Sequence, residues 1–238
     1  MKAHGIIMLF TWILLASTGI LVAQFFKTAW PGRKVFGKAV WFNIHRTIMS
    51  LAWLLTIVAF ILILIYKKGK WIPTELKKEF AHSITGILVI SFAVIQPFMA
   101  LIRPEPDAPR RFIFNYAHGF VGYSALLLSI VTLFLAMFFT QFNFEENKEW
   151  AILVAWVCWI FVIFLVFILI ELFFRKKSTS VREESHDLGP SPNNPQSNPR
   201  RPTSANPKRD LLKTVLLVIH VLVALGLSIG LAIVIGRV

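Results

Sequence analysis

Four histidines occupy matching positions in the sequence, each near the start of a separate apolar segment. They are His4 in HGIIMLFTW, His45 in HRTIM, His82 in HSITG and His118 in HGFVG. Imidazole is the commonest protein ligand for metals, and ionisable side chains in membrane-spanning segments usually serve function. One histidine at the end of a segment carries little information, because water reaches it there. Four in corresponding positions indicate a shared role as ligands.

The segments that carry the histidines are long enough to cross a membrane. Of the 238 residues, 56% are hydrophobic, and a spanning helix needs about 20 mostly apolar residues. Six segments meet this requirement: 5–26, 40–66, 80–102, 112–140, 150–174 and 211–235. Lipid offers no hydrogen-bond partner to the backbone, so these segments must be helical. The sequence therefore predicts an all-α polytopic membrane protein, a bundle of about six transmembrane helices.

Successive helices cross the membrane in opposite directions, so the four histidines fall at two depths. His4 and His82 lie near one face, and His45 and His118 lie near the other. Two imidazoles that face each other at one depth suit the two axial positions of an iron porphyrin, whereas a structural zinc ion needs four ligands at one place. The first four helices are therefore predicted to form a four-helix, di-haem core.

A glycine follows two of these histidines by one helical turn. Gly86 lies four residues after His82, and Gly122 lies four residues after His118, so each pair shares a helix face. A missing side chain there leaves room for a flat ring against the backbone. Close packing between helices is the alternative explanation for such glycines.

The distribution of basic residues predicts the orientation of the helices. Most of the 25 Lys and Arg residues lie in the segments 27–46, 103–111 and 175–213, which share one side of the membrane. Cytoplasmic loops carry the excess of Lys and Arg, so the N-terminus is predicted to be non-cytoplasmic. This prediction depends on segment 175–213, because the two sides are otherwise balanced. Anionic membrane lipid explains the net charge of +13 better than nucleic acid, which we do not expect as a partner.

Proline, serine and asparagine concentrate towards the end of the chain, in the stretch GPSPNNPQSNPRRPTSANP. Such a composition buries too little apolar surface to fold, so 178–209 is predicted to be a disordered cytoplasmic linker. It separates a transmembrane module, 1–177, from a C-terminal transmembrane helix, 210–238. We expect this last helix to fold back against the core. Its histidine, His220, has no matching partner and is predicted to be packed or hydrogen-bonded rather than a ligand.

The stretches around the four histidines resemble the cytochrome b561 family. They are AHGIIMLFTW, WFNIHRTIM, FAHSITGILV with the following VIQP, and FNYAHGFVGYSALLL, and the resemblance covers residues 1–174. The branch concerned is the one in which this module follows an extracellular DOMON domain, as in ferric-chelate reductases. The 238 residues include no such domain, so we expect a short form or a fragment.

The resemblance implies two b-type haems per chain, the outer one on His4 and His82 and the inner one on His45 and His118. It further implies an oxidoreductase that moves electrons from a cytosolic, ascorbate-like donor to an outer acceptor such as a ferric chelate. Two imidazoles leave no open position on the iron, which suits outer-sphere electron transfer. The expected location is the plasma membrane or an endosomal or vesicle membrane. Whether the protein forms a homodimer stays open.

Basic residues near each face are candidates for binding the anionic donor and acceptor. On the inner side the candidates are Lys34, Lys38, Arg110 and Arg111, and on the outer side they are Lys67, Lys68 and Lys70. Arg46 directly follows His45 and is placed either to reach a haem propionate or to extend to the lipid headgroups. Contact with lipid is the alternative explanation for every one of these residues.

Two other classes of function stay open on the sequence alone. A transporter with histidines as proton or metal relays needs ionisable groups near the bilayer centre, which is apolar here apart from Gln96 and His220. A non-enzymatic scaffold would hold haem for structure only, or hold none. Metal flux without haem would favour transport, and haem that ascorbate cannot reduce would favour the scaffold.

Overall fold

Six long helices dominate the described part of the chain, residues 1–105, 107–139, 148–187 and 206–237 of a computed structural model. They are α1 (Lys2–Phe25), α2 (Val40–Tyr66), α3 (Lys77–Leu101), α4 (Arg111–Ala136), α5 (Lys148–Asp187) and α6 (Pro207–Arg237). Each contains a stretch long and apolar enough to cross a membrane. The predicted all-α, polytopic fold is therefore confirmed.

The helix ends agree with the predicted segments to within four residues except at α5, which continues to Asp187. Residues 178–187, STSVREESHD, contain neither proline nor glycine, so no helix breaker interrupts the backbone there. The helix thus extends into the segment whose composition predicts a linker, and residues 188–205 of that segment lie outside the described part. α6 begins at Pro207, since proline is well suited to the first position of a helix.

A short hairpin connects α1 to α2 on the predicted inner side. Its strands, β1 (Lys34–Val35) and β2 (Lys38–Ala39), are antiparallel. Phe36 and Gly37 form the turn with φ of 48° and 72°, as a two-residue type I′ turn requires. The Asn43 side chain donates to the backbone oxygen of Val35 at 2.6 Å. This bond ties the hairpin to the first turns of α2.

α1 is the central helix of the bundle. In its most apolar stretch 56% of the residues are buried, against at most 28% in any of the other five helices. Residues Phe10–Ala16 of α1 form a π-helical stretch, a feature that is frequent at functional sites. The other helices therefore pack around α1, the helix that carries His4 near its start.

Two faces of α1 contribute to separate parts of the core. On one face Leu9 and Ile13 pack in a cluster with Leu153 and Trp156 of α5 and with Leu231 of α6. On the other face the cluster comprises Trp12, Ala16, Val89, Ala125 and Leu126, which come from α1, α3 and α4. Large apolar side chains such as Phe120 and Phe161 point outwards, as expected where the solvent is lipid.

Candidate functional site

The bundle brings the four histidines together in the two pairs that the alternating helices imply. The rings of His4 and His82 have centroids 6.5 Å apart with an interplanar angle of 72°. The rings of His45 and His118 have centroids 6.3 Å apart with an angle of 75°. Each pair joins two helices that are not consecutive in the chain, α1 with α3 and α2 with α4.

In the first pair, backbone carbonyl groups hold both rings. Nδ1 of His4 donates to the carbonyl oxygen of Ala59, and Nδ1 of His82 donates to that of Thr132, both at 2.9 Å. A carbonyl oxygen only accepts hydrogen bonds, so Nδ1 carries the proton and Nε2 keeps its lone pair. Metal-binding histidines commonly have this arrangement, which sets both the tautomer and the direction of the ring.

The second pair is held less symmetrically. Nδ1 of His45 donates to the carbonyl oxygen of Gly19 at 2.9 Å. Nδ1 of His118 is buried and has no hydrogen-bond partner among the described residues. The His118 ring instead stacks on Phe114, with centroids 5.4 Å apart and planes 15° apart. The backbone oxygen of His118 accepts from Nε2 of Gln96 at 3.1 Å, so α3 and α4 are joined beside this histidine.

A cavity lies between His4 and His82. Met8 and Trp12 of α1 and Gly86 of α3 line it together with both histidines. A Cβ atom built on Gly86 would meet only Cγ2 of Thr132, at 3.9 Å. Helix packing therefore does not require glycine at this position, and the missing side chain enlarges the cavity.

Gly122 has a different role. A Cβ atom there would lie 3.4 Å from Nε2 of Gln96, so glycine lets the Gln96 amide approach α4. Of the two explanations for the glycines, space for a ring fits Gly86, and close helix packing fits Gly122.

Gly19 is a site residue that sequence reasoning missed. Its carbonyl oxygen accepts the His45 bond, and a Cβ atom on it would lie only 2.4 Å from Sδ of Met49. α1 and α2 therefore approach each other closely next to the second histidine pair. The run of small residues Ala16, Ser17, Thr18 and Gly19 is the signal that indicates such an approach.

Of the predicted basic residues, some line the cavity and others are exposed on the surface. At the first pair, Lys67 and Lys70 line the cavity together with Trp71, whereas Lys68 is exposed in the following turn. On the opposite face the exposed residues are Lys34 and Lys38 of the hairpin, Arg110 at the start of α4, and Arg46.

Near the second pair, guanidinium groups gather on two aromatic rings. Arg103 lies 4.3 Å and Arg46 5.7 Å from the centroid of Phe42, and Arg111 lies 5.1 Å from that of Phe114. Burial, together with the charge of Arg111, lowers the pKa of Arg103. Arg103 also carries its charge close to both His45 and His118. Sequence reasoning missed this residue, because nothing in LIRPEP distinguishes a basic residue at the site from one in contact with lipid.

Residues 3–145 match the sequence model of eukaryotic cytochrome b561. The chain belongs to this family. All four paired histidines lie within the match, and the family resemblance predicted from them is confirmed. A cytochrome b carries b-type haem, and a facing pair of imidazoles at each level fits the two axial positions of such a group. Three of these four imidazoles have Nδ1 committed to a backbone carbonyl group.

Named relatives of this cytochrome b561 chain are much longer proteins. Ferric-chelate reductase 1 of Homo sapiens is 35% identical over 159 residues, which are 66% of this chain and 26% of that protein. A cytochrome b561 and DOMON domain-containing protein of Arabidopsis thaliana is 28% identical over 150 residues, 63% of this chain and 34% of that protein. The chain thus spans between a quarter and about a third of these relatives. No solved structure matched it.

Proposed function

We propose that this protein transfers electrons across a membrane through two b-type haems, one on His4 and His82 and one on His45 and His118. The donor is a cytosolic, ascorbate-like reductant, and the acceptor is a ferric chelate on the outer side. The observation that supports this most directly is the hydrogen bonding of the histidine rings. Three of the four histidines have Nδ1 committed to a backbone carbonyl group, which leaves Nε2 for iron.

Haem held by a pair of these histidines would supply one-electron redox chemistry without a position for substrate on the iron. The histidines would hold the group at a defined depth, and the backbone carbonyl groups of Ala59, Gly19 and Thr132 would prevent the rings of their partners from turning. The apolar walls around His4 and His82, which include Met8 and Trp12, exclude water. Reduction then requires only that donor and acceptor reach the edges of the two sites.

Charge at each face supports the proposed substrates, which are both anions. On the inner side the guanidinium groups of Arg46, Arg103 and Arg111 gather on Phe42 and Phe114, where they would neutralise haem propionates and attract the donor. On the outer side Lys67 and Lys70 line the cavity beside His4 and His82, where they attract a ferric chelate. The orientation rests on the positive-inside rule, and a plasma, endosomal or vesicle membrane suits these substrates.

The first test is a reduced-minus-oxidised absorption spectrum of the purified protein, with haem counted per chain. We expect two haems in the parent protein, reducible by ascorbate, and one in each of the variants His82→Leu and His118→Leu, with different spectra. His186→Leu serves as the control. Because His186 lies beyond the family match, this variant should keep both haems.

A colourless protein with intact helices would refute the proposal. Haem that binds but accepts no electrons from ascorbate would instead favour the non-enzymatic scaffold.

A further inference from the structure

α6 packs antiparallel to α1 along the whole length of α1. It lies outside the family match of residues 3–145. At one end Nζ of Lys2 donates to the backbone oxygen of Gly236 at 3.2 Å. At the other end Nζ of Lys213 donates to the backbone oxygen of Phe25. Between these ends, Ser17 and His220 are joined by a side-chain hydrogen bond of 3.1 Å.

The bonds at His220 form a chain whose direction follows from the chemistry of its members. Nε1 of Trp159, 3.1 Å from Nδ1 of His220, only donates, so Nδ1 accepts. His220 is fully buried among apolar helices, and as a neutral ring it carries its proton on Nε2, which donates to Oγ of Ser17. The Ser17 hydroxyl in turn donates to the backbone oxygen of Ile13. The chain thus satisfies each polar atom without a charge in the membrane.

This chain of hydrogen bonds ends at Ile13, on the face of α1 that packs against α5 and α6. Ile13 belongs to the π-helical stretch Phe10–Ala16, and Trp12 of the same stretch lines the cavity between His4 and His82. The end of α6 reaches that cavity as well, because Ile235 is among the residues that line it. Cδ1 of Ile235 lies 3.8 Å from where a Cβ atom on Gly5, next to His4, would stand.

A second polar contact joins the same three helices towards the inner side. Nζ of Lys213, on a fully buried side chain, donates to Oε1 of Glu171 as well as to Phe25. It also lies 5.5 Å from the centroid of Phe26. Hydrogen bonds at two depths restrict α6 to one register against α1, because a shift of α6 along its axis would break both sets of bonds.

We propose that α6 is a structural part of the outer haem site, and that His220 is a positioning residue for His4. The Trp159–His220–Ser17 chain holds α1 at the depth where His4 faces His82, and Ile235 closes the wall of the cavity. This inference rests on the proposed function for its haem, but the register of α6 exists without it. The inner site depends on α1 through one contact, the bond from His45 to the carbonyl oxygen of Gly19, whereas both of its histidines lie on α2 and α4.

The test uses variants that each keep one haem site. His118→Leu leaves the outer site, and His82→Leu leaves the inner site. Into each we introduce His220→Leu, which removes both bonds at similar volume. We expect about tenfold weaker haem retention in the outer-site background, from the loss of buried hydrogen bonds. We expect a smaller loss in the inner-site background, to which α1 contributes the carbonyl oxygen of Gly19. Equal loss in both, or loss in neither, would overturn the inference.

Two further variants separate positioning from general loss of folding. His220→Gln keeps an acceptor for Trp159 and a donor for Ser17, so it should restore the outer haem. Ser228→Ala is the matched control, because Ser228 is equally buried on α6 but bonds only to its own helix, at Ala224. Failure of His220→Gln to restore haem, or loss of haem in Ser228→Ala, would count against a specific role for His220.

A measurement that needs no haem distinguishes failure of this inference from failure of the proposed function. In a Cys158→Ser background we introduce Gly5→Cys and Ile235→Cys and join them with a short thiol cross-linker. The cross-link should form in the parent protein and decrease severalfold with His220→Leu. If the parent binds no haem, the proposed function fails and the cross-link still reports whether His220 holds α6. An unchanged cross-link would overturn the inference.

Discussion

Histidine has two ring nitrogens, and in this protein they have separate tasks. In three of the four paired histidines Nδ1 donates to a backbone carbonyl group of another helix, so Nε2 is available to bind iron. His220 has the reverse arrangement, in which Nδ1 accepts from Trp159 and Nε2 donates to Ser17. In one residue type, Nε2 is thus either available for a ligand role or committed to a hydrogen bond between helices, according to the partner of Nδ1.

Gly19→Ala tests how far the inner site depends on one backbone contact. The added Cβ atom would overlap the Met49 side chain, which must shift within the close contact between α1 and α2. We expect this shift to weaken the bond from His45 to Gly19. We expect about tenfold weaker retention of the inner haem, as is typical when the partner of a metal ligand is lost. Haem titration of the His82→Leu background measures this.

Gly226→Ala is the control for that substitution, because a Cβ atom there has no neighbour within 4 Å. It should leave haem binding unchanged. Equal affinities for the Gly19→Ala variant and the parent would show that the close approach of α1 and α2 does not position His45.

At the scale of the helices, polar contacts determine the register between two helices, which apolar packing alone does not determine. Apolar side chains favour burial but do not select one register between two helices that are both surrounded by lipid. The pair of Lys213 and Glu171 is unequal, because the side chain of Lys213 is fully buried and that of Glu171 is 38% exposed. Loss of the carboxylate and loss of the amine should therefore have different consequences.

Glu171→Gln should destabilise the bundle more than Lys213→Met does. The first substitution leaves a buried amine without its carboxylate, which costs roughly 3 kcal/mol, whereas the second leaves a carboxylate that water reaches. Thermal unfolding in detergent, followed by circular dichroism at matched ionic strength, compares the two. Equal loss of stability in both variants would mean that Lys213 does not need the charge of its partner.

At the scale of the whole molecule, both ends of the described chain lie on one face. Six membrane-spanning helices are an even number, and the contact of Lys2 with Gly236 brings the start of α1 to the end of α6. The positive-inside rule predicts that this face is the outer side. The assignment determines the direction of the proposed electron flow, so it needs its own test.

Labelling of single cysteines on intact cells tests the orientation. In the Cys158→Ser background, Lys2→Cys should react with a membrane-impermeant maleimide, and Ser204→Cys should react only after the membrane is permeabilised. The physical reason is the excess of Lys and Arg in segment 175–213, which resists transfer across the membrane. The opposite pattern would reverse the direction of the proposed transfer.

Much of this fold could be predicted from the sequence alone. The spans follow from the length of the apolar segments, since lipid permits only helices there. The grouping of His4 with His82 and of His45 with His118 follows from their places at the starts of helices that alternate in direction. Both inferences depend on local patterns, and the structure brings the same residues together.

Only the tertiary structure determined which atoms hold those histidines. The acceptors are backbone carbonyl groups of Ala59, Gly19 and Thr132, and a backbone carbonyl group exists at every residue, so no side-chain type marks it. Lys213 shows the same limit, because the sequence places it with the charges of the inner face and the fold buries it. Contacts between distant segments decide such cases, since they depend on which faces of the helices meet.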